Sequence, residues 1–422
     1  MKKDAVESFR GKAQSPIQLV LSAVVKRELR EFVISAGMAG LLAMLEDERA
    51  AVCGPRYVHQ SDRRAVRAGH APGELVMGGR RVRVKRPRAR TVDGEEVVLP
   101  SWSAFAAEDP LHERALTQML VGVSTRRYGR SLEAVPDGVP TRGTSKSAVS
   151  RRFVAATEAQ MGLWLGRDLA EVDLAVLMID GVHIEDHVLL VALGIDADGK
   201  KHVLGIREGA TENTAACAAL LGDLRERNLR TDRTTLVVLD GAKALSKAVR
   251  ELYGARGLIQ RCQCHKMRNV LDQLSEEMRA SVRQAMREAY GCGDAGRAKK
   301  LLTNLARRLR DDHPGAAASL EEGLDETLTV MRLRLPRSLE RVLSTTNAIE
   351  NLIGSVRELG RRVKRWRNAR MIIRWTVTAV SDAATRFRRV AGARAAMSKL
   401  VIALRAHDTA TNGPIDSRTR AA

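Results

Sequence analysis

Between residues 172 and 265 short apolar runs alternate with amphipathic stretches, and two of the runs close on the same dipeptide. Ala175-Val-Leu-Met-Ile-Asp180-Gly181 and Leu236-Val-Val-Leu-Asp240-Gly241 each have the length of one buried strand. Strands without polar alternation need cover on both faces. The same region supplies it. Ala216, Leu220, Leu221 and Leu224 repeat at helix spacing within 212–227, and a second helix is expected from Ala242 to Tyr253. His187–Gly194 and His202–Gly205 flank Ile195-Asp-Ala-Asp-Gly-Lys200 and read as a hairpin, while Gly257–Cys262 reads as a fifth strand.

Three meandering strands followed by two helix-linked strands is the order of an RNase H-like α/β fold. Strand one is central in that order and pairs with strand four, so Asp180 and Asp240 close neighbouring strands. A third acid, Glu350, lies in Thr345-Thr-Asn-Ala-Ile-Glu350-Asn351, where an amphipathic helix opens with Ile349, Leu352, Ile353, Val356 and Val363 as its buried stripe. Three converging carboxylates suit a pair of hard divalent ions acting on phosphodiesters. Each acid also has a plainer explanation. Asp-Gly is common turn chemistry, and Asn347 with Glu350 fits a capping box. The combination favours the metal site, with Mg²⁺ (or Mn²⁺), two ions, as the expected cofactor. Glu185 and Asp186 rank below Asp180 as ligands because they fall near the start of strand two.

The rest of the chain is basic, with 71 Lys+Arg against 50 Asp+Glu and a formal net charge of +21 over 422 residues. That balance points to nucleic acid as the partner. No apolar run approaches the roughly 18 residues of a membrane span, and the N-terminus lacks a signal-peptide core. Five cysteines do not make a disulfide framework, so a cytoplasmic, nucleoid-associated protein is expected.

Residues 1–110 are expected to be a helical and β-hairpin region contacting DNA or mediating oligomerisation. A helix is expected over 16–52, then a polar loop over 53–72. The hairpin is centred on Gly78-Gly79, with Val82 and Val84 facing inward and Arg81, Arg83 and Lys85 forming a basic edge. Residues 111–168 are expected to be helix-turn-helix-like. Ser124–Glu133 is its second helix, and a last helix presents Lys146, Ser147, Ser150 and Arg151 to a groove. Residues 266–340 are helical only, an insertion between strand five and the Glu350 helix, with Val270, Leu271, Leu274, Met278 and Val282 at helix spacing. The catalytic domain then comprises 169–265 and 341–395, and 396–422 a helix end and disordered tail. Arg357, Arg361, Arg362, Lys364, Arg365 and Arg367 follow Glu350 and suit a phosphate track; Trp366 among them suits either the core or a stacked base. Cys262-Gln-Cys-His265 offers Cys262 and His265 in a structural or DNA-orienting role. Zinc is not expected there, since no second close pair completes four ligands. His183-Ile-Glu-Asp-His187 matches neither zinc-peptidase spacing.

At these residues the chain resembles the Mutator-type bacterial insertion-sequence transposases, which are DDE enzymes. The matching stretches are Asp180-Gly-Val, Ala192–Gly205, Glu208-Gly-Ala-Thr-Glu-Asn213, Asp240-Gly-Ala-Lys-Ala-Leu245, Arg261-Cys-Gln-Cys-His-Lys-Met-Arg-Asn-Val270 and Thr346-Asn-Ala-Ile-Glu-Asn351. The resemblance implies that Asp180, Asp240 and Glu350 are catalytic metal ligands and that Cys262 and His265 form the family's Cys-x₂-His element. It also implies an RNase H-like core with a helical insertion, for which the interval 350 − 240 = 110 leaves room. The expected activity is binding of terminal inverted repeats in double-stranded DNA, then metal-dependent strand cleavage and transfer into target DNA by a homodimer or larger assembly. The alternatives are a nuclease or resolvase without strand transfer, and a catalytically decayed DNA-binding repressor. Cys264 and the Glu185-Asp186 pair have no assigned role.

Overall fold

The structure, a computed structural model, describes residues 16–58, 63–77, 80–107, 117–119, 122–132, 140–142, 145–209, 214–361, 363–390 and 393–412. The chain is mixed α/β and divides into two compact units, 1–156 and 157–422.

In the first unit α1 (Pro16–Cys53) packs Leu41 and Leu45 onto a sheet of β1 (Ala65–Met77), β2 (Arg80–Thr91), β3 (Glu96–Val97) and β4 (Thr141–Arg142), with α2 (Pro100–Ala107) alongside. The period-2 pattern of β2 places Val82 and Val84 in the core and leaves Arg83 and Lys85 exposed, with Arg81 half-buried. Gly78 and Gly79 lie outside the described residues, but Met77 pairs with Arg80, the register of a two-residue turn. The expected loop over 53–72 is corrected. Residues 65–72 are strand, paired with 85–91, and a register shift between Arg67 and His70 absorbs the irregular Gly69 and Pro72 segment. Cross-strand pairing overrides poor strand propensity here.

The expected helix over Ser124–Glu133 is also corrected. Among the described residues it is a single 3₁₀ turn, Tyr128–Ser131, followed by an extended Leu132. Gly129 weakens a helix at its centre, and the stretch has no apolar stripe to bury; the buried Tyr128 alone anchors it against Val149, Met119 and Leu132. α3 (Lys146–Leu165) crosses the boundary between the units, with Lys146, Ser147, Ser150 and Arg151 exposed.

The second unit is built on a five-stranded mixed sheet. β5 (Leu174–Ile184), β6 (His187–Asp196) and β7 (Lys201–Gly209) form an antiparallel meander, and β8 (Thr235–Leu239) and β9 (Gly257–Arg261) run parallel to β5. The spatial order is β7-β6-β5-β8-β9. α4 (Thr214–Glu226) and α5 (Lys243–Tyr253) cover one face, packing on Leu177, Ile179, Val237 and Leu239. Val176, Met178, Leu236 and Val238 point the other way, into a core shared with α12 (Asn347–Gly360), α13 (Ala369–Ala384) and α14 (Ala393–Asn412). Ile349, Leu352, Ile353 and Val356 seat α12 there, each burial contributing about 1.5–3 kcal/mol.

Between β9 and α12 the chain is helical: α6 (Gln263–Leu271), α7 (Glu276–Gly291), α8 (Ala295–Leu309), α9 (Pro314–Glu321), α10 (Thr329–Arg332) and α11 (Arg337–Leu343). Most of it closes on its own core around Val270, Val282, Met286, Leu302 and Leu320. Two buried cations fasten α9 to the end of the sheet. Arg261 donates to the Glu322 carbonyl and carboxylate at 3.0 and 3.1 Å, and Lys266 Nζ donates to the carbonyls of Ser319 and Glu322. The residue Arg362 and the tail 413–422 lie outside the described residues.

Candidate active site

Strand parity aims two of the three acids. Ile179 pairs with Leu239 in the parallel β5–β8 register, so the next residues, Asp180 and Asp240, leave adjacent strands side by side. Both share the parity of Met178 and Val238, which face the side that α12 covers. The backbone fixes each carboxylate locally. Gly181 N–H donates to Asp180 Oδ1 at 2.9 Å, and Ala242 N–H donates to Asp240 Oδ1 at 2.8 Å, an Asx turn. That turn needs Gly241, whose φ is +112° and whose missing Cβ leaves room for the Arg261 guanidinium.

Glu350 enters from the first turn of α12, and its charge reaches Asp180. Burial pushes the Asp180 carboxyl up to about 6. The Gly181 amide works against that shift, Asp240 and Glu350 add to it by repulsion, and His265 partly opposes it. The three acids therefore share one electrostatic site.

The helix-borne acid is held by side chains. Thr346 stands at the N-terminal boundary of α12, fully buried, and its hydroxyl donates to Glu350 Oε1 at 2.6 Å. The same oxygen lies 3.3 Å from Cys262 Sγ and 3.3 Å from His265 Nδ1. One hydroxyl carries one proton and two lone pairs. The shortest contact, to the carboxylate, takes the proton, leaving a lone pair for an N–H of His265. Cys262 follows β9; its amide donates to Leu239 O at 2.7 Å and its Sγ accepts from the His265 amide at 3.5 Å, capping α6. Hydrogen bonds from Cys264 first, then from His265, pull the Cys262 thiol well down against burial. The Cys262 hydrogen bond first, then the negative charges of Cys262, Glu350 and Asp240, raise His265 against burial. The cluster thus tends toward thiolate and imidazolium.

The ligand atoms of Cys262, His265 and Glu350 lie within 4.8 Å of one another and could hold a metal ion. The Thr346 oxygen stands among them at hydrogen-bond distances.

The sequence reading missed Thr346, taking Asn347 as the N-cap with Glu350 reaching back to it. The carboxylate turns instead to the Thr346 hydroxyl. It also missed Lys266 and Arg261, buried cations beside the site; the signal was an Arg closing an apolar strand and a Lys in the turn of helix that follows. Burial holds Lys266 down at about 8, with Arg261 adding to it. Glu185 and Asp186 occupy the exposed turn between β5 and β6, Glu185 at φ +50°.

The basic run after Glu350 departs from the expected helix face. α12 stops at Gly360, and Arg361, Lys364, Arg365 and Arg367 are exposed on irregular backbone, with Arg357 exposed on the helix. Val363 therefore falls outside the helical stripe. Trp366 packs edge-on against Trp375, ring centroids 6.5 Å apart, on the core side. No helix among the described residues is long and apolar enough to cross a membrane.

Comparison with known proteins identifies the family. The family model for transposases of the Mutator family matches residues 18–390. The chain is 32% identical over 221 residues to the transposase for insertion sequence element IS6120 of Mycolicibacterium smegmatis, covering 51% of this chain and 67% of that protein. It is 25% identical over 352 residues to the transposase for IS256 in transposon Tn4001 of Staphylococcus aureus, covering 81% and 86% respectively. It is 30% identical over 328 residues to the transposase for IS406 of Burkholderia multivorans, covering 75% and 80%. The match runs across both units, from α1 through α13, and covers most of the chain: this chain belongs to the Mutator family of transposases.

Proposed function

We propose that this transposase cuts phosphodiesters at the terminal inverted repeats of its own element and joins the freed 3′-OH to target DNA. Its second unit is then an RNase H-like core (169–265 with 341–395) interrupted by the helical insertion 266–340. The strand order β7-β6-β5-β8-β9 supports that assignment. One observation carries the chemistry: Asp180 within β5 and Asp240 just after β8 stand side by side on neighbouring parallel strands, on the face where α12 brings Glu350.

The acids fit divalent cations. Burial first, and then repulsion from Asp240 and Glu350, raise Asp180, so a nearby cation would favour its charged form, and hard carboxylate oxygens match Mg²⁺ or Mn²⁺ better than thiophilic ions. Asp180, Asp240 and Glu350 would hold two such ions, which when bound supply Lewis acidity to the attacking and leaving oxygens. The chain itself orients the carboxylates through the Gly181 and Ala242 amides and the Thr346 hydroxyl. Two helix N-termini, those of α6 and α12, begin beside the site and favour anionic groups there.

Arg357, Arg361, Lys364, Arg365 and Arg367 would track backbone phosphates near the site. In the first unit Arg81, Arg83, Lys85, Lys146, Ser147, Ser150 and Arg151 would bind the repeats. Each phosphate contact removed should lower the salt slope of binding by about 1. Joining two ends calls for at least a dimer on DNA.

The test is to incubate the protein with Mg²⁺, pre-cleaved element ends and a plasmid target. Joined products support the assignment. Cleavage without joining would make it a nuclease or resolvase. DNA binding with no metal-dependent product, unchanged by Asp180→Asn, would make it a decayed, repressor-like protein.

A further inference from the structure

The helical insertion carries its charge unevenly. α8 buries Ala298, Leu302, Leu305, Ala306 and Leu309 in the insertion's own core. Two of its cations lie on the flank toward α9 and are neutralised: Lys299 meets Asp325 at 2.8 Å, and Arg310, which caps the helix, pairs with Glu321 of α9. Four others, Arg297, Lys300, Arg307 and Arg308, are exposed and meet no carboxylate among the described residues. By helix geometry these four, with the exposed Asn304, fall within about 100° of arc, and Arg297 to Arg308 spans about 17 Å of axis. α8 itself holds no acid. Asp294 caps its start through the Arg297 amide at 2.7 Å, and Asp311 and Asp312 lie past its end.

Like charges three positions apart on a helix, as Arg297 and Lys300 are, repel each other. A solvated helix face relieves such repulsion by interleaving both signs. The flank toward α9 is relieved in that way, by acids from outside the helix, and the exposed arc is not. A polyanion laid along the arc supplies the missing charge. The arc also belongs to the frame that carries the carboxylates. α6 starts at the residue after Cys262, and the Gln263 amide donates to Ser344 O at 2.9 Å. Arg337 of α11 donates to Gly291 O, at the end of α7, at 2.8 Å. A duplex seated on α8 is therefore held in register with the acids.

We infer that this arc of α8 grips the sugar-phosphate backbone of the target DNA, a duplex of arbitrary sequence. About 17 Å of helix matches roughly five phosphates of one strand, at 3.4 Å of duplex axis each. Arg297, Arg307 and Arg308 offer forked N–H pairs to phosphate oxygens, and Lys300 offers a point charge. The arc holds no aromatic group on which a base could stack. Contacts to phosphates fix position without carrying sequence information. That suits a target whose sequence changes from one event to the next, whereas the element's ends are constant and fall to the first unit. The inference rests on the reading that this chain joins element ends to target DNA, and it names the surface that holds the target.

The experiment uses the full chain without divalent metal and a random-sequence duplex, with binding read by fluorescence anisotropy at rising salt. Arg297→Gln with Arg308→Gln should lower the slope of log K against log salt by about 2 and weaken binding roughly 10-fold or more at low salt. Lys299→Gln with Arg310→Gln removes the same charge from the paired flank and should leave the slope near wild type. All four side chains are exposed, so both proteins should keep the wild-type melting temperature. With Mg²⁺ and pre-cleaved ends, the first variant should lose joined product at limiting plasmid and regain it at excess plasmid. Its binding to an element-end duplex under excess random competitor should match wild type. An unchanged slope in the first variant, or equal losses in the two, overturns the proposal and leaves the arc to an acidic protein surface or to solvent. Loss of element-end binding in step with the random duplex also overturns it, by placing the arc on the element's own DNA. A wild type that binds as expected but joins nothing refutes the strand-transfer reading alone, because the binding comparison needs no metal.

Discussion

Asp180 and Asp240 reach the site on strands, Glu350 on a helix, and the two deliveries use different physics. The strand acids are placed by register and steadied by backbone amides one or two residues away. The helix acid depends on Thr346, whose hydroxyl also meets groups 81 and 84 positions distant in the chain, His265 and Cys262. A sheet edge positions a carboxylate by pairing already present; a helix arriving over its face needs side chains to complete the aim.

The largest effect should come from removing the acids themselves. Asp180→Asn, Asp240→Asn and Glu350→Gln should each lower DNA cleavage by more than about 10²-fold, beyond the 10–100-fold typical of residues that only support metal ligands. Stability should move the other way for one of them. The folded pKa of Asp180 stands at about 6, above its ordinary 3.8. The fold therefore disfavours its charge, and its contribution to stability falls as pH rises from about 4 through 6. Asp180→Asn should raise the melting temperature at pH 7 and remove that part of the pH slope. A drop instead would mean that the carboxylate is structurally required and that the acids do not form one repelling cluster.

Next comes the support of the helix acid. Thr346→Val keeps the shape and deletes the hydroxyl, and should cost about 10- to 100-fold in cleavage with a raised metal requirement. Thr346→Ser should retain most activity. Equal damage by Ser and Val would show that the methyl, not the hydroxyl, matters, and would erase the distinction between the two kinds of delivery.

The same distinction explains what the sequence disclosed. The two strands ending in Asp-Gly, the meander before them in space and the helix opening near Glu350 were legible because period-2 and period-3.6 patterns are local. Boundaries erred by a few residues at most in this unit; β5, expected to end at Asp180, runs on to Ile184. Thr346 was invisible because its partners come from another segment, and a Thr-Thr-Asn string before a helix looks like ordinary capping. In the first unit the failures came from irregular residues. Gly69 and Pro72 disguised a strand held by its partner, and Gly129 broke a helix that charge pattern alone suggested. Cys262 and His265 were noticed for spacing, but the contact to Glu350 that gives them a place required the fold.

A smaller effect tests the strand side. Gly241→Ala places a side chain at φ +112° and against Arg261. It should destabilise by roughly 1–3 kcal/mol and also lower activity, because the Asx turn holding Asp240 must distort. Denaturant unfolding and cleavage assays read the two losses. Lost stability with unchanged cleavage would show that Asp240 does not rely on its backbone turn.

The smallest expected effect concerns Lys266, which ties the helical insertion to the residue after His265. Its ammonium donates to the Ser319 and Glu322 carbonyls, and burial lowers its pKa from 10.5 to about 8. Below pH 8 both folded and unfolded chains carry the proton, and burying that charge costs stability. Between about pH 8 and 10.5 the unfolded chain holds the proton and the folded one does not, so stability gains from this group as pH rises through that window. Lys266→Met should delete the gain, measured as the difference between the two proteins' unfolding free energies across pH 7.5–10. It should also leave two carbonyls unpaired and loosen α9, seen as faster amide exchange there. Identical pH profiles for both proteins would mean that Lys266 stays protonated throughout, held by Glu322 and Glu326 more firmly than burial opposes it. The link between insertion and site would then be an ion-pair clamp, a third way of placing the machinery and one dependent on salt.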